Sequence, residues 1–418
     1  MTREPPAGAP LRRWALVGNP ENRRVALFQQ ALADRGEPPA LLLSWFDLLT
    51  GRRSIGEVPA GAVLRVDSPG ENWAVEKALL AAGRAAAEAE GSPVLGGRAL
   101  AEWEEDRGRI LHPRQWFLGL RETLHDWDRR LAGRGVRWTA PAAGMLCLFD
   151  KLACQSRLAA AGVPVPPALS PRPVGGFEEL ADRMAAADCD RAFVKLAHGS
   201  SASGVVALRR GRTGWTAVTS AELVRGPLPA GGRSGLRLYN SLKIRRYAAL
   251  DDVRDLIDEL ARHRLHAERW LPKASLGGRA FDLRIVSIAG APRHTVVRTA
   301  RGPLTNLHLG GRRGDAAAVR RLCGPERWAA VLDTVRRAAA AFPETLTIGF
   351  DVLIAPGGRS HAVLEANAFG DLLPGVTDRG EDTYAAQIAA VAAVAAGGRS
   401  ALIRRPAGGP AGGPTARG

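Results

Sequence analysis

Two carboxylates and one amide toward the C-terminal end of this 418-residue chain have the types and spacing to hold a hard cation: Asp351, Glu365 and Asn367. Glu365 and Asn367 stand two apart in Val363-Leu364-Glu365-Ala366-Asn367, so in a strand both side chains project to one face. Asp351 stands in Gly349-Phe350-Asp351-Val352, on what reads as the partner strand. The hairpin would pair residues 345–354 with 361–366, with residues 355–360 as its turn. Two carboxylates and an amide oxygen suit magnesium, which also takes oxygens from phosphates. Acids inside apolar strands need a partner, and a metal is one. Register decides whether Asp351 joins the other two, because a one-residue slip turns it to the opposite face. The competing reading is an exposed hairpin with ordinary polar residues.

A second group lies upstream. Lys195 follows Ala192-Phe193-Val194 in residues 191–196, which read as a buried strand. Small residues come next, His198-Gly199-Ser200-Ser201-Ala202-Ser203-Gly204, before a strand resumes over residues 205–208. Glycines allow close backbone approach, and serine hydroxyls with backbone amides can cradle phosphate oxygens. The loop lacks the Gly-Lys-Ser/Thr of a P-loop, and a flexible surface hairpin is the alternative. Lys151 similarly follows the apolar run Leu146-Cys147-Leu148-Phe149, at a helix start that favours nearby anions. Of 58 basic residues only Lys77, Lys151, Lys195, Lys243 and Lys273 are lysines, so a site needing a compact ammonium has few candidates. Arg284 shares a strand face with Asp282, opposite Phe281, Leu283 and Ile285. The pair reads either as a salt bridge or as a guanidinium aimed at phosphate or carboxylate. Residues 298–311, with Arg298, Thr305, Asn306, His308, Gly310 and Gly311, are too polar and glycine-rich for a core segment. They read as a loop, over a ligand or in solvent.

These side chains need a scaffold. Residues 14–17 read as a strand, 18–20 as a turn, 24–35 as a helix and 40–45 as a strand, the start of an α/β unit with a parallel sheet. No glycine fingerprint follows Gly18, so its turn is read as structural. Helices over residues 71–90 and 114–130 are expected to finish this first domain near residue 145. Residues 150–161 form a helix behind the acidic cap Asp150, stopped by Gly162-Val163-Pro164-Val165-Pro166. A helix follows at 251–262, a strand and hinge at 265–271, an alternating strand at 281–289 and a last helix at 382–396. Residues 1–11 and 397–418 are rich in Gly and Pro and are expected to be disordered.

Composition narrows the function class. A chain of this length, 46% hydrophobic, suits two or three packed units. The net charge of +16 is diffuse, and no compact basic stripe with interleaved aromatics argues for nucleic acid. Four cysteines without a CxxC pair exclude a zinc or disulfide framework. No apolar run reaches 18 residues and the N-terminus has no apolar signal segment, so a cytoplasmic protein without a membrane span is expected. No GxSxG, HExxH or DFG-type set occurs.

Taken in order, the motifs resemble the ATP-grasp superfamily over about residues 145–376. Lys151 and the Gly162–Pro166 stop resemble its lysine-bearing helix. Lys195 with Gly199, Ser200, Ser201, Ser203 and Gly204 resembles its second lysine and phosphate loop. Glu268, Arg269, Trp270 and Leu271 resemble the hinge that holds adenine. Asp282-Leu283-Arg284, Arg298 and the Thr305-to-Gly311 segment are similar to the ribosomal-protein glutamate ligase branch, and the chain also looks similar to a little-characterised bacterial group. Lys273 stands where that pattern often has a ribose-binding acid, and contact with phosphate or substrate is the alternative role for it.

The resemblance implies an α/β (α+β) ATP-grasp fold with an N-terminal parallel-sheet pre-grasp domain at 12–144 and grasp subdomains at 145–267 and 268–396. It implies a ligase using ATP and magnesium, with manganese as a substitute, that activates a carboxylate as its acyl phosphate. Lys151 and Lys195 would neutralise α- and β-phosphates, Asp351, Glu365 and Asn367 would hold the metal, and Arg284 and Arg298 would act on the transferred group. The partner would be an acidic small molecule or peptide with a carboxylate, and a homo-oligomer is compatible. A phosphotransferase in the same cleft is the main alternative, and a nucleotide-binding protein with little turnover the second.

Overall fold

The computed structural model describes residues 13–200, 202–226 and 235–395. The expected disordered ends, 1–11 and 397–418, lie outside the described residues, as does Ser201.

The first sheet has four parallel strands, β1 Trp14–Gly18, β2 Leu41–Ser44, β3 Val63–Val66 and β4 Arg137–Trp138, in the order β2-β1-β3-β4. β1 is buried along its whole length, as its apolar run requires of a strand covered on both faces. The turn after it is structural. Asn19 is buried and its amide donates to Pro69 O and Gly70 O at 3.1 and 3.0 Å. A Cβ on Gly18 would meet Val25 Cγ2 at 2.8 Å, so glycine permits the close packing of helix Arg23–Ala33.

The expected helix over 71–90 is two helices, Trp73–Ala82 and Arg84–Ala89, separated at Gly83. The reason is a backbone-to-backbone crossing with helix Pro113–Leu131. A Cβ on Gly83 would lie 2.0 Å from Gln115 O, and one on Gly119 would lie 1.9 Å from Leu79 O.

The second sheet is antiparallel, ordered β8-β7-β6-β5-β9: β5 Arg191–Leu196, β6 Val206–Gly211, β7 Gly214–Gly226, β8 Gly235–Tyr247 and β9 Leu265–Arg269. Helix Leu250–Ala261 packs Val253, Leu256, Ile257 and Leu260 onto its core. The third sheet has β10 Ser275–Leu276, β11 Arg279–Ile288, β12 Ala291–Ala300, β13 Arg312–Gly314, β14 Thr347–Ile354 and β15 His361–Asn367. Its order is β13-β12-β11-β14-β15, with β10 beside β11. Phe281, Leu283 and Ile285 enter the core beneath it with Phe350, Val352 and Val363, as alternation predicts.

The last helix, Thr383–Ala395, returns to the first sheet: Tyr384, Ile388 and Val391 pack with Trp14, Leu16 and Phe28. A buried ion network reinforces this closure. Arg65 donates to Asp67 at 2.6 Å and Asp371 at 2.9 Å, Arg24 donates to Asp371 at 2.7 Å, and Gln387 donates to Asp371 at 3.0 Å. Among the described residues no helix is long and apolar enough to cross a membrane.

Candidate functional site

A cavity of about 920 Å³ is lined by residues of the second and third sheets and by loop and helix residues of the first domain, Ser68 and Trp116 among them. The third sheet supplies one wall through a single strand face. In its registers Asp282 sits opposite Arg298, Arg284 opposite Asp351, and Asp351 opposite Glu365. Side chains directly opposite share a face, so these five groups stand together. The register question is thereby settled: Asp351 is on the same face as Glu365 and Asn367, and a bulge follows it before Val352.

Arg298 departs from the expectation. It lies on strand β12 rather than in a loop, with only the segment beyond Ala300 irregular. Val296 and Val297 are consecutive and both buried, on opposite faces of the strand, so no simple apolar–polar alternation marks it in the sequence, and its three basic side chains mask it further. The ion pairs also differ from the simplest expectation. Asp282 receives Arg298 Nε at 2.8 Å rather than Arg284. Arg284 instead binds Asp351 with both arms of its guanidinium, at 2.5 and 3.2 Å, and Arg298 adds a contact to Asp351 at 3.1 Å. Lys273 is turned away from the role of a free cation. Its ammonium donates to Asp282 at 2.8 Å, Thr305 Oγ1 at 2.7 Å and Pro303 O at 3.3 Å. Asp282 is buried, which disfavours its charge, yet Lys273 and Arg298 hold its carboxyl well below the usual carboxylate range.

Lys151 opens helix Lys151–Ala160, whose first amides at Leu152 and Ala153 are capped by Asp150 Oδ1. Its ammonium reaches Glu365 at 2.8 Å and Gly199 O at 2.6 Å. Burial works against a charged Glu365, but Lys151 and Lys195 keep it ionised below its ordinary range. Lys195 is on β5, with its ammonium 2.5 Å from Glu268.

Gly199, Ser200, Ala202 and Ser203 line the cavity; Gly204 does not. Gly204 has φ +64, and a Cβ there would meet Leu196 at 2.8 Å, so it packs the base of the loop. Along the hinge, Glu268, Arg269 and Leu271 line the cavity with Phe193. Trp270 packs against Phe193 at 5.2 Å and under Arg191, and is not among the lining residues.

His198, Glu90 and Arg114 were not connected by sequence reasoning. His198 is buried, stacks on Phe117 at 4.0 Å and faces Asp150 Oδ2 at 3.1 Å. Arg114, bound to Glu90 at 2.6 Å, approaches the same ring nitrogen at 3.3 Å. Burial lowers His198 to about 4, despite Asp150, so the ring is neutral at pH 7. Three residues distant in sequence carry this link from helix Pro113–Leu131 to the loop, and no local motif signals it.

Within the cavity lining, five cations, Lys151, Lys195, Lys273, Arg284 and Arg298, stand with four acids, Glu268, Asp282, Asp351 and Glu365. Such a lining can bind polyanions, because the ammonium and guanidinium groups can be shared with incoming oxygens. Among the described residues no group of three or more His, Cys, Asp or Glu is disposed to hold a metal alone. Asp351, Glu365 and the Asn367 amide oxygen form an all-oxygen set that fits a hard dication completed by ligand oxygens.

No protein-family model and no curated protein matches the chain. Solved structures do. D-cycloserine synthetase DcsG aligns with a TM-score of 0.51 and 14% identity, over 91% of this chain and 99% of that one. The macrocyclase MdnC of Microcystis aeruginosa MRC, bound with precursor peptide MdnA, gives 0.48 and 11% over 90% and 99%. The ATP-grasp ligase PsnB with minimal precursor gives 0.45 and 16% over 91% and 99%. The chain therefore shares the α/β fold of the D-cycloserine synthetase.

Proposed function

We propose that the chain is an ATP-dependent carboxylate–amine ligase that works through an acyl phosphate. The observation that carries this reading is the convergence of Lys151, Lys195, Arg284 and Arg298 with Asp351, Glu365 and Asn367 on one cavity. A cavity of about 920 Å³ has room for a nucleotide beside a second substrate. That a synthetase shares the fold is consistent with ATP-driven bond formation.

In this reading the nucleotide base lies against Phe193 and the hinge backbone at Glu268–Leu271. Lys151, Lys195 and the loop at Gly199, Ser200 and Ser203 bind phosphate oxygens. Asp351, Glu365 and Asn367 would hold magnesium, or manganese in its place, which would neutralise phosphate charge. Arg284 and Arg298, held in place by Asp351 and Asp282, orient the γ-phosphoryl group and the substrate carboxylate. A carboxylate oxygen attacks the γ-phosphorus as ADP leaves. The amine nitrogen then attacks the acyl carbon, and phosphate leaves as the amine gives up a proton. The loop and hinge enclose the cleft, which protects a hydrolysable intermediate from water. Residues 145–267 and 268–396 act as the two nucleotide-binding halves and 12–144 as a preceding domain. The substrate is an acidic small molecule or a peptide bearing a carboxylate.

The test is turnover of magnesium-ATP with pooled carboxylates in the presence of hydroxylamine. Free phosphate together with a hydroxamate supports the ligase reading. A stable phosphorylated product without phosphate release would replace it with a phosphotransferase.

A further inference from the structure

We infer that Glu268 is a positioning residue that acts on the nucleotide through Lys195, and that Gln155 and His266 in turn fix Glu268. This rests on the nucleotide reading above, and it gives the Glu268 side chain a task other than contact with adenine.

The arrangement follows from strand registry. On β5 and β9, Lys195 is opposite His266 and Phe193 is opposite Glu268. All four side chains therefore share one face, while Ala192, Val194, Leu265 and Ala267 fill the core behind. Lys195 and Glu268 are diagonal neighbours on that face, within reach of long side chains. Their charged ends meet at 2.5 Å, with side chains 11% and 3% exposed.

Each carboxylate oxygen of Glu268 has its own donors. Oε1 accepts from Lys195, and Oε2 accepts from Gln155 Nε2 at 3.0 Å and His266 Nε2 at 3.2 Å. His266 is buried and, among the described residues, pairs with no acid but this one. Only a carboxylate can accept on both oxygens. A glutamine here would have to turn its NH2 either toward the ammonium or toward the Gln155–His266 pair. Either choice sets donor against donor.

The consequence for Lys195 is orientation. A lysine side chain has large rotamer freedom, and a free ammonium at the cavity would lose it on binding phosphate. Held by Glu268 and by Leu364 O at 3.4 Å, the ammonium is already in place among Lys151, Arg284, Asp351 and Glu365. Burial disfavours its charge, and Glu268 with Glu365 more than offsets this.

Calorimetric titration with magnesium–AMPPNP of the full chain tests the inference through a double-mutant cycle. Glu268→Gln and Lys195→Met are each expected to weaken binding about ten-fold. Because Glu268 works through Lys195, the double variant is expected to bind no more weakly than Lys195→Met alone. A double variant weakened by the product of the single effects, or an unchanged Glu268→Gln, overturns the inference. An unchanged Lys195→Met overturns the nucleotide reading itself. Gln155→Leu, which leaves the carboxylate and its charge intact, is the milder second variant should Glu268→Gln not fold. It is expected to weaken binding about three-fold in the Lys195 background and not at all in Lys195→Met. The same three-fold loss in both backgrounds would also overturn the inference.

Discussion

Asp282→Asn removes the charge that holds two cations in place, and its cost follows from the geometry. Asp282 is 3% exposed as a side chain, and its partners Lys273 and Arg298 are 9% and 11% exposed. Breaking a buried pair by removing one charge costs about 3–5 kcal/mol, because the other charge stays buried. Here the survivors keep some partners. Arg298 retains Asp351 at 3.1 Å, and Lys273 retains Thr305 at 2.7 Å. The lower end, about 3 kcal/mol, is therefore expected. At a urea slope near 3 kcal/mol/M, the unfolding midpoint of the transition containing β11 falls by roughly 1 M. Tryptophan fluorescence against urea reads this directly. Lys273→Met should cost less, because Arg298 and Thr305 still satisfy the carboxylate. A midpoint shift for Asp282→Asn below about 0.2 M, the range of ordinary surface substitutions, would refute Asp282 as the anchor of this wall.

Other expectations follow from the same geometry. Gly119→Ala forces a methyl to within 1.9 Å of Leu79 O, so helices Trp73–Ala82 and Pro113–Leu131 must separate. A loss of about 3 kcal/mol or more in thermal or urea unfolding is expected, and a change under about 0.5 kcal/mol would contradict the crossing. His198, lowered to about 4 by burial, binds its proton more weakly folded than unfolded. Its contribution is complete above its ordinary value of about 6.5 and is lost as pH falls from there toward 4, a change of order 3 kcal/mol. His198→Gln should thus lose less stability than the parent between pH 7.5 and 4.5 in thermal melts; equal losses would contradict the buried neutral ring. Arg284→Lys keeps the charge but cannot reproduce the two-armed contact to Asp351. About a hundred-fold loss of kcat, with little change in the KM for ATP, is expected from steady-state ATP turnover. Unchanged kcat would remove Arg284 from the reaction.

Much of the site was legible because it is built on strands. Alternation alone put Asp282 and Arg284 opposite Phe281, Leu283 and Ile285, and put Glu365 with Asn367. What alternation could not supply was pairing. Asp351 joins Glu365 through a register that depends on a bulge, and Arg298 meets Asp282 through a strand that its own basic residues disguised. Long-range polar links were equally hidden. Lys273 ends on Asp282 and Thr305, and His198 on Asp150 and Arg114, over separations that no local spacing encodes. Elsewhere the long antiparallel pair of β7 and β8 and helix Ala316–Ala340 are not marked in the sequence. That helix is interrupted at Gly324, φ +71, and Pro325, which breaks the helical pattern a sequence would show.

The most direct test of the central claim is the magnesium dependence of ATP affinity in the parent chain and in Glu365→Ala. With Asp351, Glu365 and Asn367 as the metal set, the parent binds ATP more tightly with magnesium than without it, and the variant loses most of that gain. An equal magnesium gain in both proteins would contradict the claim.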